Sequence, residues 1–388
     1  MMLKAKFCRL IFVVFSMMIM TACSESSEIV DTVGNSSLGE VSLKEKEQPI
    51  ITKEISLTAI GDMLIHSPVY LDAKVDGGYD FLPMLEQVAP FLERSTVTIA
   101  NQETMIGGEE FGLSTYPSFN SPYEVGDALK NVGVDVVSIA NNHTLDRGEA
   151  VIQSAISHWE TIDMMYTGAY KDEIDRDNLR VYETSEGISI AFLSYTYGTN
   201  GIPVPEGKDY LVNLIDKELI ANEIAKAKQE ADVTLLSLHF GNEYERMPNE
   251  AQKELVQFAA DLGVHIVIGH HPHVLQPVEW VTGKEGNKTF VAYSLGNFLS
   301  NQQELYQRIG GISTIKIKKT VEGEKETIEL HSPEFMPTYV KFRPDFADYE
   351  VVPMFQLTNQ DLAGASAQYE QIKAHMSQWV PELEFVEE

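Results

Sequence analysis

Six of the ten histidines in this chain fall in short polar clusters, each close behind an apolar, β-rich run. The clusters begin with Gly61-Asp62 and His66, then Asn101-Gln102-Glu103, then Asn141-Asn142-His143 with Asp146 and Arg147. They continue with His239, Gly241 and Glu243, with Gly269-His270-His271-Pro272-His273, and with Tyr293-Ser294-Leu295-Gly296-Asn297. Taken singly, each has an ordinary explanation. Gly-Asp is a common turn, Asn tolerates left-handed backbone angles, and a solitary His is more often hydrogen-bonded than metal-bound. Taken together, imidazole, carboxylate and amide oxygen form the donor set of borderline divalent metals such as Mn, Zn or Fe. A bridging carboxylate, an Asn carbonyl and several His suit two ions roughly 3.5–4 Å apart, a pair that acidifies a bound water and clamps a phosphate or carbonyl oxygen. A neighbouring His outside the ligand set is placed to protonate a leaving group.

The remaining histidines, His158, His265, His331 and His375, lie in helix, strand or tail contexts and read as structural or surface residues. The only two cysteines are Cys8 and Cys23, both near the N-terminus. The main domain therefore has no thiolate ligand and no disulfide.

The elements that must position these clusters are strands. Runs at 54–60, 96–100, 135–140, 188–195, 232–238, 264–268 and 289–294 have strand character. In open α/β sheets, ligands bind where the C-terminal ends of strands and their loops converge. Amphipathic stretches at 148–160 and 215–231 predict helices between the strands. Ser121-Pro122 reads as a helix start running to about Asn131, and Asn249 with Gln252 as a capping box. This alternation predicts an α/β fold with helices covering the sheets. Beyond 300, stretches at 311–319 and 327–332 read as a hairpin around Glu322-Gly323-Glu324. Residues 341–361 read as irregular and 362–379 as a C-terminal helix.

The 388 residues are 44% hydrophobic and 22% charged, enough for a large core. The formal net charge is −29, which argues against a nucleic-acid partner, since phosphate binding needs clustered Lys and Arg. The N-terminus departs from this acidity. Lys4, Lys6 and Arg9 precede an apolar run ending near Met20, and Met20-Thr21-Ala22-Cys23 resembles a bacterial lipobox. The run is short for a membrane span and reads as a secretory signal with Cys23 as the lipidation site. The other reading is an uncleaved anchor helix with Cys23 incidental. Both place the protein on the extracytoplasmic face of the cell membrane. Residues 24–50 read as a flexible tether.

The ordered motifs resemble those of the CapA (poly-γ-glutamate capsule biosynthesis) family, over roughly 55–298. That family is related in fold to calcineurin-like metallophosphoesterases. The resemblance implies a β-sandwich flanked by helices over residues 51–300; it does not cover 301–388, which reads as a small α+β extension completing the sandwich. It implies Asp62 on the first metal, Glu103 in the bridging position, and Asn142 and His239 on the second. His271 and His273 would contribute one ligand to each metal. His143 would be the acid, oriented by Asp146. His66 is a further metal candidate, although metallophosphoesterases carry Asp-x-His and His66 is four residues from Asp62. Glu103 is a longer arm than the usual bridging Asp. Arg147 and Glu243 are candidate substrate contacts or supports behind the ligands, and Asn297 is a candidate substrate contact. The implied partners are the membrane, polymer synthase subunits and an anionic surface polymer. Two functions follow: a dinuclear metal-dependent hydrolase of a surface polymer, or a non-catalytic accessory lipoprotein of a polymer synthase and export complex.

Overall fold

Along the strand Ser189–Thr196, side chains alternate between two apolar environments. Ile190 and Phe192 point into one cluster, Ala191, Leu193 and Tyr195 into another. Period-two alternation with both faces buried requires a layer on each side of the sheet. The computed structural model, which describes residues 49–388, supplies both layers. The signal, Cys23 and most of the tether expected from sequence lie outside the described residues.

Two mixed sheets pack face to face. The larger has nine strands. Its main path runs Glu350–Pro353, Lys325–Lys341, Ile309–Glu322, Ile50–Leu64, Val97–Gln102, Val136–Ser138 and Met165–Thr167. Asn297–Ser300 also pairs with the first strand, and Glu384–Phe385 with Lys325–Lys341. The six-stranded sheet runs Leu275–Thr282, Lys288–Leu295, Ile266–His270, Val233–His239, Ser189–Thr196 and Arg180–Glu183. Leu57, Ile99 and Val136 meet Phe192, Leu235, Ile268 and Phe290 in the layer between them. Outside the larger sheet, Leu129, Ile152, Ile156 and Trp159 pack from the helices Glu124–Asn131 and Gly148–Thr161. Outside the smaller, Ile220, Ile224, Leu255 and Ala259 pack from Lys217–Glu230 and Glu250–Asp261.

All seven strands expected from sequence are present, and the Asn249–Gln252 capping box forms as read. Three differences have physical causes. The helix expected from Ser121-Pro122 begins later, at Glu124, with no side-chain cap. Ser121 instead turns its hydroxyl to Thr104 at 2.8 Å. The hairpin strands are longer than their apolar runs, because Ile309–Glu322 pairs antiparallel with the first strand along Ile50–Ile60. Leu275–Thr282 escapes a pattern reading because Pro277 interrupts it, and it lies at the sheet edge where Pro is tolerated.

Candidate metal centre

Neighbouring parallel strands present polar residues at the same level. Asp62 is in register with Asn101 and with Asn297, and His239 with His270. Two glycines let the chains close in. A Cβ on Gly61 would lie 2.1 Å from the Gly296 carbonyl oxygen, and one on Gly269 would lie 2.0 Å from that of Tyr293. At Gly296, φ +64°, the chain leaves the smaller sheet and re-enters the larger as Asn297–Ser300. The Asp62 N–H donates to the Gly296 carbonyl at 2.8 Å, so the two sheets are stitched together beside the cluster.

Two metal-capable triads share one residue. Asp62, Glu103 and His273 offer donor atoms within 4.8 Å of one another, as do Glu103, His239 and His271. Both triads are buried. Glu103 Oε1 lies 3.7 Å from His239 Nε2 and 3.6 Å from His273 Nε2. Asn142 extends the second triad, its Oδ1 2.9 Å from His239 Nε2. A third group, Glu243 with His271 and His273, faces solvent through Glu243.

The electrostatics of these residues fit bound cations. Glu103 is fully buried, and neither carboxylate oxygen has a hydrogen-bond partner. Burial pushes its carboxyl well above the usual range, against the pull of His273. Asp62 is also buried, but the neighbouring His270 and His273 outweigh burial and hold it well below the usual range. Its Oδ1 accepts from Asn101 Nδ2 at 2.8 Å and its Oδ2 from the His271 N–H at 3.3 Å. Burial, aided by the neighbouring imidazoles, holds His239 well below 6.5 and His271 down at about 3. Neutral imidazole is the form that binds a metal. Burial opposes charge on His273 too, yet Glu103 and Asp62 raise it to about 9. A buried carboxylate without a donor is costly, and a cation between Glu103, Asp62 and the imidazoles removes that cost. The residues present therefore fit the dinuclear site expected from sequence.

The remaining candidate residues divide. His143 stands beside the triads, its Nδ1 2.7 Å from Asp146 Oδ2. Asp146 also accepts from the Phe119 N–H at 2.8 Å, and the Phe119 ring meets His143 edge-on at 4.7 Å. Glu243 is exposed. His66 joins none of the metal-capable groups; its Nδ1 is 3.0 Å from the Leu64 carbonyl. The extra residues after Asp62 carry it to the start of the helix Ser67–Asp72. Arg147, read as a substrate contact, is committed to structure. Its guanidinium donates to the Phe111 and Gly112 carbonyls and to Ser114, binding the loop that carries Phe119. Asn297 is also reassigned. It is buried, with Oδ1 3.0 Å from His273 Nδ1, and its Nδ2 donates to Gln302 and the Gln307 carbonyl. That contact turns His273 Nε2 toward Glu103, the outer-shell support that fixes a ligating imidazole.

Tyr197, Asn200 and Tyr244 carried no signal in the sequence. The Tyr197 ring lies 4.6 Å from that of His271. Asn200 Oδ1 accepts from Asn142 Nδ2 at 3.2 Å. Tyr244 lies 6.3 Å from His273. All three come from loops whose residue types are unremarkable out of context. Asn101 was marked by its place beside Glu103, and its contact with Asp62 shows why it is there.

A family model described as bacterial capsule synthesis protein PGA_cap matches residues 56–302. PGA biosynthesis protein CapA of Bacillus subtilis (strain 168) is 30% identical over 214 residues, covering 55% of this chain and 55% of that protein. Capsule biosynthesis protein CapA of Bacillus anthracis is 28% identical over 262 residues, covering 64% and 61%. The chain thus spans less than two thirds of the length of either relative. Among solved structures, a putative 5'-nucleotidase from Staphylococcus aureus in complex with alpha-ketoglutarate aligns with TM-score 0.40 and 15% identity, over 82% of this chain and 58% of that one. A 5'-nucleotidase from Candida albicans SC5314 aligns with TM-score 0.39 and 13% identity, over 83% and 57%.

Proposed function

The chain belongs to the PGA_cap family of bacterial capsule synthesis proteins, and on that premise we propose that it is a surface lipoprotein carrying a dinuclear metal-dependent hydrolase site. Its substrate is a phosphoester or amide-type bond of an anionic surface polymer, poly-γ-glutamate or a related chain. Cys23 carries the lipid anchor, and polymer synthase subunits in the membrane are its partners.

The observation that carries this reading is Glu103, a buried carboxylate with two unpartnered oxygens shared by two triads of neutralising ligands. Asp62, Glu103 and His273 would hold one ion, and Glu103, His239, His271 and Asn142 the second. Bound Mn, Zn or Fe would supply Lewis-acid polarisation and an acidified water. The protein's own contribution is the proton. Asp146 engages His143 Nδ1, which assigns the Nδ1–H tautomer and leaves Nε2 to exchange a proton with a leaving group. Against a chain charge of −29, the ions also offset repulsion of an anionic polymer within the cleft.

The test is elemental analysis of the full chain in detergent, beside Glu103→Ala and His271→Ala, followed by assays with phosphodiesters and γ-glutamyl peptides. Two equivalents of transition metal, lost in both variants, with turnover of one substrate class, is the expected result. Wild-type protein that cannot be loaded with Mn, Zn or Fe overturns the hydrolase reading and leaves the accessory lipoprotein. Loaded protein without turnover of either class overturns the assigned chemistry.

A further inference from the structure

A carboxylate stands at the entrance of the centre. Glu243 is exposed, yet one of its oxygens lies within 4.8 Å of ring nitrogens of both His271 and His273. Among the described residues no lysine or arginine forms an ion pair with it. The loop that carries it is pinned just beyond it. The Tyr244 N–H donates to the Pro272 carbonyl at 2.8 Å, and Gln276 Nε2 donates to the Glu245 carbonyl at 2.7 Å and to the Met247 carbonyl at 3.2 Å. Tyr244 takes φ +66°, a left-handed angle unfavourable to a bulky residue, and such strain persists only where surrounding contacts impose it.

Two aromatic rings accompany the carboxylate. Tyr197 is 49% exposed and Tyr244 48%. The rings of Tyr197, His271, His273 and Tyr244 follow one another at centroid spacings of 4.6, 5.8 and 6.3 Å, one tyrosine beside each imidazole. After burial, the charge of Glu243 is the largest influence raising both phenol hydroxyls, that of Tyr244 to about 12, so the carboxylate is near both rings. This combination matches one ligand class. A carboxylate attracts a cation by its charge, and a phenol ring does so by its negative face. An incoming phosphate meets the opposite field, because like charges a few ångströms apart repel.

We infer that Glu243, with Tyr197 and Tyr244, forms a subsite for a primary ammonium group, and that the bond cleaved is an amide close to a free amino end rather than a phosphoester. The inference rests on the dinuclear hydrolase reading above and selects between its two substrate classes. In a γ-linked glutamyl residue at an amino end, the α-amino nitrogen and the amide carbon are about 5 Å apart when extended. Glu243 stands off from His271 and His273 by a comparable distance, so an ammonium held there leaves the carbonyl of the same residue at the centre. Hydrolysis consumes one water. Its oxygen bonds to the amide carbon, the C–N bond breaks, and both its protons end on the departing nitrogen, one of them by way of His143 Nε2. The products are a carboxylate and an ammonium.

The experiment compares a γ-glutamyl peptide with a free amino end and the same peptide acetylated there, on the full chain in detergent. Binding is measured by calorimetry in chelator, where the bond stays intact, and turnover after loading with Mn or Zn. Wild type binds the free-amine peptide about 5- to 10-fold tighter and turns it over with the lower KM, the worth of an exposed ion pair beside an aromatic face. Glu243→Gln and Glu243→Lys abolish that preference, while elemental analysis still finds two metals per chain. Equal binding of the two peptides by wild type, or a preference that survives in both variants, overturns the ammonium subsite. Loss of metal from Glu243→Gln overturns it as well, since Glu243 would then be holding an ion. Metal-loaded wild type that hydrolyses phosphodiesters but neither peptide overturns the amide assignment and leaves the metal site standing. Wild type that cannot be loaded with metal overturns the dinuclear reading itself.

Discussion

Replacing Glu103 with Gln tests the metal centre through stability, because the expected effect changes sign with the metal. Glu103 is fully buried and both its oxygens lack partners. Without metal, the side chain is a liability of about 1–3 kcal/mol, the usual penalty for a buried polar group left unmatched. Gln keeps the shape and is neutral at every pH but is itself an unmatched amide, so in chelator Glu103→Gln equals wild type or exceeds it only by the cost of ionising the buried carboxyl. With metal the order reverses. An ion at 100 times its Kd stabilises the native state by about 2.7 kcal/mol, so two independent sites add about 5 kcal/mol. Glu103 belongs to both triads, and its loss weakens both. At about 2 °C per kcal/mol for a domain of this size, wild type gains about 10 °C on loading and Glu103→Gln gains little. The assay is calorimetry or denaturant titration of both proteins, with chelator and with Mn or Zn. A Glu103→Gln protein clearly less stable than wild type in chelator, combined with no metal-dependent shift in wild type, refutes the reasoning. Glu103 would then be making a favourable contact with the protein itself.

Other predictions rest on separate contacts. His143→Gln lowers turnover about 10²–10⁴-fold, the usual worth of general acid catalysis, while elemental analysis still finds two metals per chain. Gly61→Ala places a Cβ 2.1 Å from the Gly296 carbonyl and strains the junction of the two sheets; we expect a loss of about 3 kcal/mol or more by denaturant titration. His265 supplies a pH dependence away from the site. Burial, with the charge of Lys228, lowers it from 6.5 to about 4, and its Nδ1 accepts from the Thr234 N–H at 3.1 Å. Between those values the unfolded chain binds the proton and the folded chain does not. Its stabilising contribution is therefore complete above pH 6.5 and is lost as pH falls toward 4, by at most about 3 kcal/mol. His265→Asn, with an oxygen acceptor in place of Nδ1, should flatten that part of the acid limb in chelator; an unchanged difference from wild type between pH 7 and 4.5 would contradict this.

The sequence alone determined the two things that local chemistry encodes. Each strand core is a short β-rich run, and most are followed within a residue or two by Gly, Asp, Asn or His. Strand identity and the placing of polar clusters at strand ends were therefore legible, as was the capping box at Asn249. So was the fold class, since alternating periodicities leave few layered solutions. The full extent of the hairpin at 309–341 was not legible, because its strands continue as far as a partner strand offers hydrogen bonds.

What the tertiary structure decided is which polar atoms face the cleft and which are used up elsewhere. Arg147 and Asn297 have the right types and stand in the right clusters. Their hydrogen bonds are nonetheless taken by loop carbonyls and by His273, and nothing in the residues before or after them states that. Tyr197 and Asn200 are brought to the centre by a loop after the strand Ser189–Thr196 and have no pattern of their own. His270 appeared in sequence as one imidazole of three. Only the packed structure sets its Nδ1 3.2 Å from Asp62 Oδ1, outside both triads. Residue type and spacing specify what a side chain can do; the direction it points, and the partners left for it, depend on contacts between strands far apart in the chain.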